Sequence, residues 1–179
     1  MKMTKRNYLI LFLLALIFAA PGLTAYLSYR HPQWFLVNTT NKGELLNPPL
    51  LFSVIAQSKP KWRLIYWYPN ACEAACLRQV DKLARIRLAL GRHLYEVDEW
   101  LILAKESQQA DETMEKTLRE QDIHIMPISS AIVASIPVFT KKPQIFIANS
   151  EGYLVLAYKE NAKPQDIYQD LKQLLKKSG

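Results

Sequence analysis

Residues 62–88, WRLIYWYPNACEAACLRQVDKLARIRL, constrain the fold more than any other stretch. WRLIYWY is short, aromatic and apolar, which is the composition of a buried strand. A helix start follows at once. Asn70 is a good N-cap, and Glu73 three residues on can complete a capping box. Leu77, Val80, Ala84 and Leu88 then recur at helical spacing, while Arg78, Lys82 and Arg85 share another face. Gly91 suits the stop. The strand-to-helix junction holds both cysteines of the chain, Cys72 and Cys76.

The rest of the sequence builds on this unit. EWLILA (99–104) reads as a second buried strand, ADETMEKTLREQ (110–121) as a polar helix with acids at its start, and IHIMPIS (123–129) as a short third strand. QIFIAN and YLVLAYKE flank Ser150-Glu151-Gly152 as a hairpin. PQDIYQDLKQLLKK closes the chain as a helix, with Pro164 at its first position and lysines in its last turn. Ahead of residue 62, WFLVNTTNKGELL carries a hairpin signal at Asn41-Lys42-Gly43. NPPLLFSVIAQSKPK, with Pro48, Pro49 and Pro60, reads as loop, and residues 130–142 match no single pattern. The expected fold is α/β: a mixed sheet flanked by helices, preceded by an N-terminal β-hairpin.

NYLILFLLALIFAAPGLTAYLSY, residues 7–29, is uncharged and long enough to span a bilayer. Lys2, Lys5 and Arg6 precede it, which keeps the N-terminus in the cytoplasm and sends the remainder across. A cleavable signal peptide is the alternative, but its sites are poor: Pro21 follows Ala19-Ala20, and bulky Leu23 stands two residues before Ala25. The expected organisation is a cytoplasmic N-terminus over 1–6, a transmembrane helix over 7–29 with the lipid bilayer as its partner, a linker over 30–33 and one domain over 34–179. Outside the cytoplasm a disulfide can persist. Net charge is +7, but beyond residue 29 there are 20 basic and 16 acidic side chains. With no zinc-finger spacing, phosphate loop or RNA-binding aromatic motif beside that modest excess, no nucleic-acid partner is expected.

On the expected helix Cys72 lies in the first turn and Cys76 one turn later on the same face. Such Cα atoms are about 6 Å apart, within reach of a disulfide. The free N–H groups and positive dipole end of the helix favour thiolate at Cys72; Arg78 and Lys82 add to this and Glu73 opposes it. Thiolates serve disulfide exchange and soft-metal binding alike. A structural staple is the third use, although so short a loop removes little unfolded-chain entropy. Its place at the carboxyl edge of the sheet is where α/β proteins put chemistry. The histidines read as ordinary surface or core residues: His31 in the linker, His93 past the far end of the cysteine helix, and His124 at the sheet edge opposite the cysteines. Met126, a thioether in a strand, reads as core.

The order of strand, Cys-x-x-x-Cys at a helix start, late hairpin and terminal helix resembles the thioredoxin superfamily. More closely it is similar to the membrane-anchored Sco-type proteins of cytochrome c oxidase assembly. FLVNTTNKGELL, YPNACEAAC, IHIMPIS and QIFIANSEGYL carry the likeness, which covers residues 34–176. The run over 62–94 is also similar to small anchored proteins described as cytochrome oxidase associated. The resemblance implies a thioredoxin-like (Sco-like) domain on the periplasmic side of the inner membrane. It makes Cys72 and Cys76 the functional pair, as a redox couple or as copper ligands, and a cytochrome oxidase subunit or assembly factor the partner. Asn70 supports the pair as helix cap. Pro143 stands where thioredoxin-like redox proteins have a cis-proline beside the thiols; a plain loop proline is the alternative. Two departures matter. Where Sco-type proteins have a histidine before the late hairpin, this chain reads FTKKPQIFIANSEG, with Lys141, Lys142 and Pro143. Where they have an acidic segment after the second strand, it reads LILAKESQQ. Three roles follow: a thiol–disulfide factor in copper-site assembly, a Cu(I) carrier using both thiolates, or an assembly factor that uses only its surface.

Overall fold

The computed structural model describes residues 5–30, 41–56, 60–104 and 112–178. They fall into two units, one up to residue 40 and one from Asn41 onward. In the first, helix α1 spans Lys5–Arg30 and contains the uncharged run; among the described residues it is the one helix long and apolar enough to cross a membrane. The linker residues 31–33, with His31, and the strand expected over 34–40 lie outside the described residues.

The second unit contains β1 (Glu44–Leu51), α2 (Ser53–Ala56), β2 (Trp62–Tyr68), α3 (Ala74–Leu88), a 3-10 turn (Gly91–Glu96), β3 (Val97–Ala104), α4 (Glu112–Glu120), β4 (Ile123–Ile128), α5 (Ser130–Ser135), β5 (Gln144–Ala148), β6 (Tyr153–Lys159) and α6 (Pro164–Ser178). The strands form one sheet in the order β1-β6-β5-β2-β3-β4. β2, β3 and β4 are parallel, whereas β5, β6 and β1 extend the sheet in antiparallel pairs. Alternation along β2 divides the core. Leu64 and Tyr66 share a layer with Val80, Leu83 and Ile86 of α3 and Leu171 of α6. Ile65 and Trp67 share the other layer with Phe52, Ile55, Ile136 and Phe139. A strand buried on both faces needs cover on both, and the helices and the 136–139 segment supply it.

β1 corrects the expected loop over residues 47–51. Pro48 and Pro49 fall between Leu45 and Leu50, where the register with β6 shifts. Among the described residues β1 is also an outer strand, where a proline breaks no ladder on a second side. β4, the other outer strand, carries Pro127. The turn expected at residues 41–43 leads into β1, but β1 pairs with β6. Its start is fixed by a carboxylate of α6: the N–H groups of Lys42 and Gly43 donate to Asp170 Oδ2 at 2.7 and 2.8 Å, and the Tyr158 hydroxyl donates to the same oxygen at 2.7 Å. Three donors offset the burial of Asp170.

The late hairpin is as expected. Asn149 Oδ1 accepts the N–H groups of Glu151 and Tyr153, and Gly152 takes φ +91°, a conformation that favours glycine. Glu99 on β3 is a different matter. It is 1% exposed, and neither carboxyl oxygen has a hydrogen-bond partner among the described residues.

Candidate functional site

Cys72 and Cys76 form a disulfide with Cα atoms 5.2 Å apart. The helix around them starts later than its sequence suggests. Pro69 favours extended backbone at Tyr68, and residues 70–73 make the turn before α3 begins at Ala74. Glu73, not Asn70, is the N-cap, and its side chain makes no capping hydrogen bond. Its carbonyl accepts the first helical bond, from the N–H of Leu77 at 3.0 Å. Asn70 sits in an exposed bend ahead of the cap. Cys72 therefore precedes the helix, and Cys76 is its third residue.

The buried stripe of α3 is Cys76, Val80, Leu83, Ile86 and Arg87. Leu77 and Ala84 are half-buried flanks, and Leu88 is 64% exposed. This phase puts Cys76 in the core at 0% exposure, while Cys72 is half-buried against the same layer. An incoming thiol thus meets Cys72 first. Cys76 lies among the free N–H groups of the first helical turn, which favour negative charge.

Two segments border this turn. β2 and β5 pair Trp67 with Gln144, so Pro143, one residue earlier, comes alongside the end of β2. Trp67 holds that loop: its Nε1 donates to the Thr140 carbonyl at 2.8 Å and its ring stacks on Phe139 at 4.9 Å. Among the described residues the cis peptide bond is Asn47–Pro48; Lys142–Pro143 is not cis. On the second side, the Tyr66 hydroxyl donates to Glu160 Oε1 at 2.9 Å, Gln79 Nε2 to the Glu160 carbonyl at 3.1 Å and Lys82 Nζ to the Ala162 carbonyl at 3.0 Å. These bonds tie the turn after β6 to β2 and to α3 just beyond Cys76. Burial first, then the Glu160 carboxylate, pushes the Tyr66 hydroxyl far above its ordinary value, so it remains a donor. The sequence carries a signal for one of these contacts, because a tryptophan in a buried strand needs an acceptor for its indole N–H. Glu160 and Gln79 carry none.

The other residues weighed from the sequence lie elsewhere. His93 is in the 3-10 turn, with Nδ1 2.7 Å from Glu96. His124 packs tilted against Trp100, ring centroids 4.8 Å apart, near the start of β4, the end of the parallel strands away from the cysteine turn. Met126 is half-buried in the second core layer. Lys141 and Lys142 are exposed. Among the described residues no three His, Cys, Asp or Glu side chains gather as a metal site, so the donor set at the turn is two sulfurs.

No curated protein sequence matches the chain. Among solved structures it is similar to Arabidopsis thaliana ScoI with copper bound, at 12% identity and TM-score 0.54, over 66% of this chain and 86% of that one. It is similar too to yeast Sco1 with copper bound, at 14% identity and TM-score 0.52, over 66% of this chain and 80% of that one. At these identities the likeness is one of fold, and the fold is thioredoxin-like. A family model described as the transmembrane-like, thioredoxin-like, C-terminal domain matches residues 62–178, from the first residue of β2 to the last of α6. The chain belongs to this transmembrane-like, thioredoxin-like family.

Proposed function

We propose that the protein is a membrane-anchored thiol–disulfide redox factor acting through Cys72 and Cys76. The observation that carries the reading is the bridge itself: a disulfide from the turn into the first turn of α3, with one half-exposed and one buried member. A partner thiolate attacks the Cys72 sulfur and breaks the Cys72–Cys76 bond. Cys76 leaves as a thiolate, stabilised by the N–H groups of the helix start. A second partner thiolate then attacks the partner's own sulfur in the mixed disulfide and expels Cys72. The partner loses two electrons and gains a disulfide; the two cysteines accept the electrons and the two protons that its thiols gave up. Run backwards, the same steps reduce a partner disulfide.

The resemblance to Sco-type proteins supports a cytochrome oxidase subunit or assembly factor as the partner, with the cysteines of a copper site as substrate. The cations before α1 and the lasting disulfide support a domain on the periplasmic side of the inner membrane. Protease added to spheroplasts should digest the domain and leave an anchored fragment. Full protection would place the domain inside the cell.

Copper carriage is the second reading, favoured by the two-sulfur donor set and by the copper bound in the similar Sco structures. The reduced pair fits soft Cu(I), which accepts two sulfurs, and does not fit Cu(II). Lys141, an ammonium with no lone pair, adds no ligand. One pair of measurements separates the readings. The oxidised full-length protein in detergent, mixed with a dithiol peptide, should form one peptide disulfide for each protein disulfide lost, counted by mass spectrometry. Failure of that exchange, with stoichiometric Cu(I) uptake by the reduced protein under a competing chelator, would replace the redox reading with copper carriage.

A further inference from the structure

The surface beside the disulfide has a charge pattern that the exchange chemistry itself does not require. The loop 140–144 and the turn 159–161 enclose a groove of about 810 Å³. Lys141, Lys142 and Lys159 stand exposed on its rim, and none of the three belongs to an ion pair among the described residues. The one acid in the lining, Glu160, already accepts the Tyr66 hydroxyl. A second cavity of about 340 Å³ shares Gln144, Lys159 and Asn161 with the first and runs on to Lys42 and Glu44. There Glu44 and Asp166 outnumber Lys42, so the positive excess lies on the side of the loop 140–144 and the turn 159–161.

We propose that this trough seats an extended polypeptide segment of the redox partner, with acidic side chains against Lys141, Lys142 and Lys159. The proposal rests on the redox reading and names the chemistry of its partner. Two joined cavities suit a chain better than a single small anion. Three lysines against the single carboxylate of Glu160 leave the groove net positive, which draws in acidic segments and turns away basic ones. Because Glu44 and Asp166 line the far end, the segment's acids lie toward its reacting cysteine. The loop bearing Lys141 and Lys142 is held by Trp67 and Phe139, and the turn after Lys159 by Tyr66 and Gln79, so both walls are set before a partner arrives.

The test uses the full-length protein in non-ionic detergent and three fluorescent peptides. Each carries serine in place of cysteine, flanked by Glu, Gln or Lys. Anisotropy should show the Glu peptide binding about tenfold tighter than the Gln peptide, with the gain falling as salt rises. Lys141→Glu, Lys142→Glu and Lys159→Glu together should turn the preference toward the Lys peptide, while the circular dichroism spectrum stays that of the folded protein. Lys141→Gln alone should lose part of the gain, which guards against misfolding of the triple variant. Equal affinities for the three peptides, or an acidic preference that survives charge reversal, would overturn the proposal. Serine peptides cannot exchange, so the redox reading is judged separately with their cysteine forms. Acidic binding without exchange would remove that reading and leave the docking one; exchange without charge preference would do the reverse.

Discussion

Cys76→Ser should trap the protein on its partner as a stable mixed disulfide through Cys72, and Cys72→Ser should reduce exchange to the uncatalysed background. The asymmetry follows from burial. Cys76 has no exposed surface and Cys72 is half-buried, so only the Cys72 sulfur is open to an incoming thiolate. With serine at 76, the thiol that would resolve the adduct is gone. Loss of the bridge cannot produce the difference, because both variants lose the same link between residues four apart, worth about 2 kcal/mol by loop closure. The measurement is a non-reducing gel with mass spectrometry after incubation with a disulfide-bonded peptide, from which the attacking protein thiolate displaces one peptide thiol. Adducts formed through Cys76 in Cys72→Ser at the rate seen for Cys76→Ser would reverse the assigned roles.

Stability of the domain should fall as pH rises from about 4.5 to about 8, and Glu99→Gln should remove that part of the slope. Glu99 lies on β3 between Leu64 of β2 and Ile123 of β4, with both oxygens unpartnered among the described residues. Burial pushes its carboxyl up to about 8; Arg87 opposes the shift and Asp81 reinforces it. In the unfolded chain the same carboxyl titrates near 4.5. Between the two values the folded state keeps a proton that the unfolded state releases, so unfolding is favoured increasingly as pH climbs. The loss is complete above about 8 and absent below 4.5. It amounts to a few kcal/mol, on the order of 1.4 kcal/mol for each pH unit of the window. Glutamine keeps the size and cannot ionise. Urea unfolding of the two proteins should therefore agree at low pH and diverge in favour of Glu99→Gln toward pH 9. Parallel curves across that range would show that Glu99 is ionised or reaches a partner.

Much of this was legible in the sequence, and what was not has particular causes. WRLIYWY, EWLILA and the pair QIFIAN and YLVLAYKE each show a pattern that agrees with the burial they reach, so the sheet could be read from them. ELLNPPLL could not: two prolines argue against a strand, and only its outer position and the register shift against β6 make one acceptable. In the cysteine helix, the spacing Leu77, Val80, Ala84, Leu88 is as regular as the true stripe. The stripe that won runs through Cys76 and Leu83 and leaves Leu88 in solvent. Asn70 and Glu73 have the spacing of a capping box, yet the turn forced after Pro69 delays the helix until Ala74. Glu99, Asp170 and Arg63 are buried ionisable groups, and a buried ionisable group has no periodic signature. Asp170 is satisfied by backbone from the opposite end of the domain, and Arg63 Nη1 by the Asn149 carbonyl at 3.0 Å; such partners exist only once the chain has folded.

The prolines on the two outer strands bear on how many copies can live side by side. An open sheet ends in rows of free N–H and C=O groups, and a second copy can extend it by laying its own edge alongside. Proteins fixed to one membrane surface meet each other often, always from the same side, and cannot dilute away. Pro48 and Pro49 each remove a backbone donor from β1, and Pro127 removes one from β4. Among the described residues neither outer strand carries a full set of backbone donors, which disfavours edge-to-edge pairing between copies crowded along one bilayer.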